Sequence, residues 1–306
     1  MMLRQLALMR RELWEHRAIY VVPVVVAVLM TLSSLTGQVS ISHIEHLDAG
    51  IIGLQNLPTN ARAAALTVMM IGLTTPFLIA MWVLTIFYTL DSLFAERKDR
   101  SILFWRSIPV TDFETVLSKL LTAVIVIPLI TFAFIVGTQL LVLITTSVWV
   151  NVRGGSPWNM IWTAMPFVDN WTATLTLVVA LPLWLSPFVG WFMFVSAFTK
   201  RSPLLIAAMP IVLLPMLEKL FFGTSLMAEA FFVRSIKMPL IANLDNMELL
   251  FQEGEDFAKL ADAELSLTSL MDFGGFLAHP QLWLGFVVCG LFIGAAVYVR
   301  RYRDES

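Results

Sequence analysis

The sequence predicts an all-α, polytopic membrane protein with six transmembrane helices, an N-terminal interfacial helix and a helical external segment between spans five and six. Three observations carry this. First, 58% of the residues are hydrophobic and only 14% are charged, with mean hydropathy +0.81; a soluble domain carries about 25% charged residues. Second, two long charge-free runs, 25 residues over Leu66 to Leu90 and 31 over Leu120 to Val150, flank a dense charged block over Asp91 to Lys119. A bilayer core about 30 Å thick needs about 20 apolar helical residues, so each run can span and the block must lie in water at one face. Third, the basic residues are unevenly divided among the connections, as shown below.

The elements follow in chain order. Residues 1–17 place Leu3, Leu6, Met9 and Leu13 at helical spacing among Arg4, Arg10, Arg11 and Arg17, a pattern suited to a helix lying in the membrane interface. Glu12 and Glu15 and the lack of a small-x-small site argue against a cleaved signal peptide. Span 1 is expected over Ala18 to Thr36, span 2 over Leu66 to Leu90 with Pro76 inside it, and span 3 over Leu120 to Thr146. Residues 149–171 hold Trp149, Trp158, Trp162 and Trp171 with Gly154, Gly155 and Pro157. Indoles concentrate at the membrane interface, which predicts a short external loop on the bilayer surface; Asp169-Asn170 reads as a helix start. Span 4 is expected over Thr172 to Phe198, broken by Pro182 and Pro187, and a basic turn at Lys200-Arg201 leads to span 5 over Pro203 to Phe222. Residues 223–279 carry nine acidic residues against three basic ones, with Leu249, Leu250, Phe257 and Leu260 at helical spacing, which predicts a helical cap outside the membrane. Span 6 is expected over Leu282 to Val299. The domain plan is therefore 1–17, 18–222 with a charged loop at 91–119, 223–279 and 280–306.

Six spans put both termini on one side. Fourteen basic residues fall there: Arg4, Arg10, Arg11, Arg17, Arg97, Lys98, Arg100, Arg106, Lys119, Lys200, Arg201, Arg300, Arg301 and Arg303. Six fall on the other: Arg62, Arg153, Lys219, Arg234, Lys237 and Lys259. Short basic loops mark the cytoplasmic side, so both termini are expected in the cytoplasm.

Several chemistries are missing from the sequence. It has no GxxxxGK[ST], GxGxxG, GxSxG or HExxH. Its single cysteine, Cys289, cannot form an intramolecular disulfide and excludes multi-cysteine metal frameworks; it reads as a small apolar helix residue. Ion-driven transport usually needs ionisable groups at mid-membrane depth. Spans 1 to 4 and 6 contain no Asp, Glu, Lys or Arg, and Glu218 and Lys219 lie near the outer end of span 5. His43-Ile-Glu-His46 has a spacing that could hold a metal, although a solvated loop explains it as well.

The stretch ERKDRSILFWRSIPVTDFETVLSKLL resembles the first cytoplasmic loop of ABC-2 type transporter permeases, the membrane-spanning subunits of ABC exporters. The matching elements are Glu96, Arg97, Arg100, Ser101, Ile102, Leu103, Pro109, Lys119 and Leu120. The usual Gly-Thr is replaced by Ser101-Ile102, so the match is one of pattern. The layout of interfacial helix, six spans and larger external segment also fits, over nearly the whole chain. The resemblance implies a permease that does no chemistry and has no catalytic residue, metal or cofactor of its own. ATP and Mg would be bound by a separate ATPase. The implied partners are two ATPase copies, a second permease copy as a homodimer, and membrane lipids, with no nucleic acid. The implied location is the bacterial cytoplasmic (inner) membrane.

The loop residues agree physically. Glu96 and Arg100 are four apart and can pair on a helix. Ile102, Leu103, Phe104 and Trp105 form an apolar face that needs a partner surface. Pro109 ends that helix and Asp112 begins the next. The expected ATPase-coupling residues are Glu96, Arg97, Arg100, Phe104, Trp105 and Arg106. A substrate path is expected along Trp184, Phe188, Trp191 and Phe192, with ordinary lipid or helix contact as the alternative. The expected function is export of a hydrophobic or amphipathic compound. The competing classes are a membrane sensor or assembly subunit that moves no cargo, an ion-coupled transporter, and a membrane enzyme, which would need a His or carboxylate cluster at one interface.

Overall fold

The computed structural model describes residues 2–35, 58–99, 110–152, 154–240 and 266–302. Its architecture is all-α and polytopic, with six helices long and apolar enough to cross a membrane. Such segments are helical because hydrocarbon offers no partners to backbone N–H and C=O groups, which must bond within the segment. Buried hydroxyls follow the same logic: Thr74, Thr85 and Thr131 each donate to the carbonyl four residues back, at 2.8, 2.8 and 2.9 Å, so a polar side chain needs no partner helix.

Helix α1 covers Met2–Glu15 and α2 covers Ala18–Leu35. Helix α3 runs over Thr59–Ser92, continues at each end beyond the apolar run, and is followed by the short α4, Phe94–Lys98. Helix α5, Asp112–Leu121, passes through a π-helical turn, Thr122–Val126, into α6, Ile127–Val152. Pro128 has no N–H to donate to Val124, and the wider turn falls just before this gap in the α ladder. The third span is thus longer at both ends than its uncharged stretch.

The expected fourth span is two helices, α7 over Phe167–Trp184 and α8 over Ser186–Phe198. The break is at Leu185, with Pro182 and Pro187 on either side. The helices run on end to end, because Leu185 N donates to Leu181 O and Val189 N to Leu185 O. Helix α9 spans Pro203–Phe222; a six-residue helix α10, Phe273–Ala278, precedes α11, Pro280–Tyr302.

Helices α8 and α11 lie side by side and approach closely at Gly190. A Cβ added at Gly190 would stand 2.9 Å from Cys289 Cα, so a residue without a side chain is required there. The main core joins Phe77, Met81, Leu84 and Tyr88 of α3 to Val116, Ile127, Ile135, Val189, Met193 and Ile293. Helix α9 is peripheral: of its 20 residues only Ala207 and Pro215 are buried, while Leu205, Met209 and Leu220 are exposed.

Residues 154–166 are more than a surface loop. Gly154 turns the chain at φ 78, a conformation suited to glycine. The segment then folds back so that Met160, Ile161, Ala164 and Met165 pack on Leu66, Met70, Leu73, Val142 and Leu143. In the acidic segment between the fifth and sixth spans, a short helical stretch covers 226–236, and Asp272 N donates to Leu240 O at 2.8 Å. The periodic stretch around Leu249 and Phe257 lies outside the described residues, as does His43-Ile-Glu-His46.

Candidate functional site

The described part of the charged block begins and ends in a buried ionic cluster at one end of the bundle. The local sequence builds it first. Thr111 caps α5: its Oγ1 accepts from Glu114 N at 3.1 Å, and Glu114 Oε2 accepts from Thr111 N at 2.9 Å. This reciprocal capping box fixes where α5 starts. It places Asp112 in the first turn and Lys119 in the last, on the side facing the bundle.

Lys119 is fully buried, and its Nζ lies 2.8 Å from Glu12 Oε1 and 3.1 Å from Glu96 Oε1. The other oxygen of Glu12 accepts from the Tyr88 hydroxyl at 2.9 Å. The other oxygen of Glu96 accepts from Arg300 Nη1 at 2.5 Å, and Arg300 Nε donates to Asp112 Oδ1 at 2.9 Å. Arg11 Nη2 stands 3.5 Å from Glu96, and its Nε donates to Glu15 at 2.7 Å. Residues of α1, α3, α4, α5 and α11 therefore meet at one node. Burying a charge is costly unless it is paired and hydrogen-bonded. Here Glu12, Glu96 and Asp112 face Arg11, Lys119 and Arg300.

Two further contacts lock the node. Gln5 Nε2 donates to Glu114 O at 3.3 Å, holding α1 on α5. His16 meets Tyr88 edge-on, with centroids 5.0 Å apart. Burial holds the His16 pKa below its ordinary value of 6.5, with Glu12 pulling it up and Lys119 pulling it down.

Arg97 points the other way, to the end of α8. Its Nη2 donates to Ser196 O and, at 2.9 Å, to Thr199 O. Leu93 N and Phe94 N donate to Ser196 Oγ at 3.1 and 3.0 Å. The last carbonyls of a helix have no intrahelical partner and carry partial negative charge, so a guanidinium there satisfies both. The stem of the charged loop is thereby fastened to the kinked span as well as to the ionic node.

Of the expected coupling residues, Glu96 and Arg97 are in this assembly. Arg100, Phe104, Trp105 and Arg106 lie outside the described residues, and so does any Glu96–Arg100 pair. The aromatic residues expected along a substrate path sit in helix contacts. Trp184 is buried, donates through Nε1 to Arg234 O at 2.8 Å, and lies under the Arg234 guanidinium at 4.4 Å. Arg234 in turn donates to Trp184 O at 2.9 Å, next to the break at Leu185. Trp191 donates to Ala207 O at 3.1 Å, tying α8 to α9, and Phe188 and Phe192 are buried in the same apolar cluster.

Sequence reading did not single out Glu12, Tyr88, Asp112 or Arg300 as members of one site. Their separations along the chain, 107 residues for Lys119 and Glu12 and 204 for Arg300 and Glu96, leave no local spacing to recognise. The one available signal was the pair of acids in an otherwise basic α1. Among the described residues, no group of three His, Cys, Asp or Glu side chains is placed to hold a metal ion. The cluster is an ion-paired joint between helices, and His16, Tyr88 and Asp91 at its edge line a cavity of about 320 Å³. No family model, curated protein or solved structure matches the chain.

Proposed function

We propose that this chain is the membrane-spanning subunit of an ABC exporter of the ABC-2 type, moving a hydrophobic or amphipathic compound with energy from a separate ATPase. The observation that carries the reading is the way the charged loop is rooted. Glu96 at its entry and Asp112 and Lys119 at its exit are built into one buried node with α1 and α11, and Arg97 at its entry is fastened to the end of α8. A push on the loop is delivered to several spans together, as rigid-body switching between two states requires. The resemblance of the loop to the ABC-2 pattern supplies the partner: two ATPase subunits, which hold ATP and Mg, act on a pair of permease copies.

In this reading the protein sits in a bacterial inner membrane with both termini in the cytoplasm, in keeping with the split of basic residues. The spans offer an ion-coupled mechanism no Asp, Glu, Lys or Arg at mid-depth. The test is the double variant Phe104→Ala/Trp105→Ala. A buried aromatic anchor contributes about 2 kcal/mol or more at an interface, so co-purification of the ATPase and permease-stimulated ATP hydrolysis should both fall while membrane insertion is unchanged. Unchanged association and turnover refute the coupling role. ATP hydrolysis by the parent complex without movement of an amphiphile would favour a sensor or assembly subunit.

A further inference from the structure

At the end of the bundle opposite the ionic node, α3 and α7 separate around a cavity of about 200 Å³. Residues 267–271 roof it. Asp169, in the first turn of α7, latches the roof by accepting from Ser266 Oγ and Leu267 N, both at 2.6 Å, and from Thr268 N at 3.1 Å. The walls are mostly apolar, with Ile71, Leu177, Leu267 and Met271 among them, and no charged side chain lines them.

Four polar side chains line this cavity; Thr74 and Thr75 spend their hydroxyl hydrogens on Met70 O and Ile71 O, while Asn170 keeps its amide oxygen and Thr174 its whole hydroxyl. Asn170 is 1% exposed; its amide nitrogen donates to Thr67 Oγ1 at 3.3 Å and to Pro166 O at 3.1 Å. Both amide hydrogens are used, and the Pro166 carbonyl fixes which atom is nitrogen. The oxygen, Oδ1, makes no hydrogen bond among the described residues. Thr174, one helical turn on and 8% exposed, also makes none. Its neighbours on α7 behave differently: Thr172 and Thr176 bond back to the carbonyls of Val168 and Thr172 at 2.6 and 2.8 Å. Neither Asn170 Oδ1 nor Thr174 Oγ1 is among the fully enclosed side-chain atoms without a partner, so both are open to the cavity, where an acceptor and a hydroxyl one helical turn apart can receive a ligand's polar end.

The inventory calls for a neutral group that both donates and accepts, and an alcohol hydroxyl is the simplest such group on an apolar chain. An alcohol hydroxyl donates to Asn170 Oδ1 and accepts from the Thr174 hydroxyl, satisfying both at once. An ether or ester oxygen only accepts and leaves Asn170 unmet. A carboxylate would set a charge against the Asn170 oxygen with no cation lining the cavity. The volume is below the roughly 300 Å³ at which drug-sized pockets begin, so the site encloses the hydroxyl end of a single chain and not a whole diacyl lipid. We propose that this cavity binds a neutral long-chain alcohol, its hydroxyl held between Asn170 and Thr174 and its chain against Ile71, Leu177 and Met271. The site does not rest on the permease reading; a chain that moved no cargo would still carry it.

The probe is a dodecanol bearing a photoreactive diazirine, applied to the full chain in lipid nanodiscs, with the corresponding methyl ether as control. Labelling by the alcohol is expected to saturate, to map by mass spectrometry to residues 70–78 and 170–177, and to be competed by 1-dodecanol far better than by the ether. Thr174→Val removes the hydroxyl and leaves the Asn170 contacts intact; it should weaken binding about tenfold, the equivalent of one buried hydrogen bond. Equal labelling by alcohol and ether, labelling mapped elsewhere, or unchanged binding by Thr174→Val each overturns the proposal. None of these readouts involves the ATPase, so failure here is separate from failure of the Phe104/Trp105 test.

Discussion

Replacing Lys119 with methionine tests the ionic node directly. The side chain is fully buried, with carboxylate oxygens at 2.8 and 3.1 Å. Glu96 would keep Arg300 at 2.5 Å and Arg11 at 3.5 Å. Glu12 would keep the Tyr88 hydroxyl at 2.9 Å and the His16 imidazole at 3.7 Å. Stranding one partner of a buried pair costs about 3–5 kcal/mol. Because Glu96 retains its arginines, the loss falls mainly on Glu12, and about 3 kcal/mol is expected. Glu12→Gln keeps an acceptor for Tyr88 and leaves Lys119 beside Glu96, so it should cost less. The double variant Glu12→Gln/Lys119→Met removes the stranded charge and should be more stable than the sum of the singles by about 2 kcal/mol, within the range for residues in contact. Denaturant unfolding in one detergent, followed by tryptophan fluorescence, gives all four corners of the cycle. A Lys119→Met protein within about 0.5 kcal/mol of the parent, the size of an ordinary surface change, or strict additivity in the cycle, would refute the buried pair.

Two further outcomes follow from the same end of the bundle and from the contact of Gly190 with α11. The folded state disfavours the charged form of His16, so its contribution is complete above pH 6.5 and is lost as pH falls below it, where the unfolded chain takes up the proton first. His16→Gln should flatten that part of the stability–pH curve, and identical slopes in the two proteins would contradict it. Gly190→Ala sets a Cβ 2.9 Å from Cys289 Cα and 3.0 Å from its carbonyl oxygen, so α8 and α11 must part, at about 1–3 kcal/mol by the same unfolding assay. Cys289→Ala should give no rescue, since the obstruction is backbone; a neutral Gly190→Ala would mean that the two helices are farther apart.

The spans were legible because a bilayer imposes one length scale and one composition on any crossing helix. Span 5 matches residue for residue, Pro203–Phe222. Ends were less legible elsewhere: α3 begins at Thr59, well before the apolar run at Leu66, because hydropathy marks where lipid is and not where the helix stops. The break at Leu185 was signalled by Pro182 and Pro187, but its position depends on which freed carbonyl finds a donor, and that donor, Arg234, lies 50 residues away. The folding-back of 154–166 was missed for a similar reason: tryptophans suit an interface whether they rest on lipid or on neighbouring helices. The ionic node is the extreme case. Lys119 entered the sequence reading only as the charged entry to a span, and nothing near it announced Glu12 or Arg300.

The node also imposes an order on biogenesis. Glu12, Glu96 and Lys119 are translated and can meet early, but Arg300 emerges 204 residues after Glu96. Until then Glu96 is without its Arg300 contact, and an intermediate of five spans would hold the junction without that guanidinium. Insertion of α11 closes the circuit of charges and brings the first helix and the last under common restraint. Quality-control machinery that recognises stranded ionisable groups in a membrane would thus find a direct report on whether the sixth span has arrived.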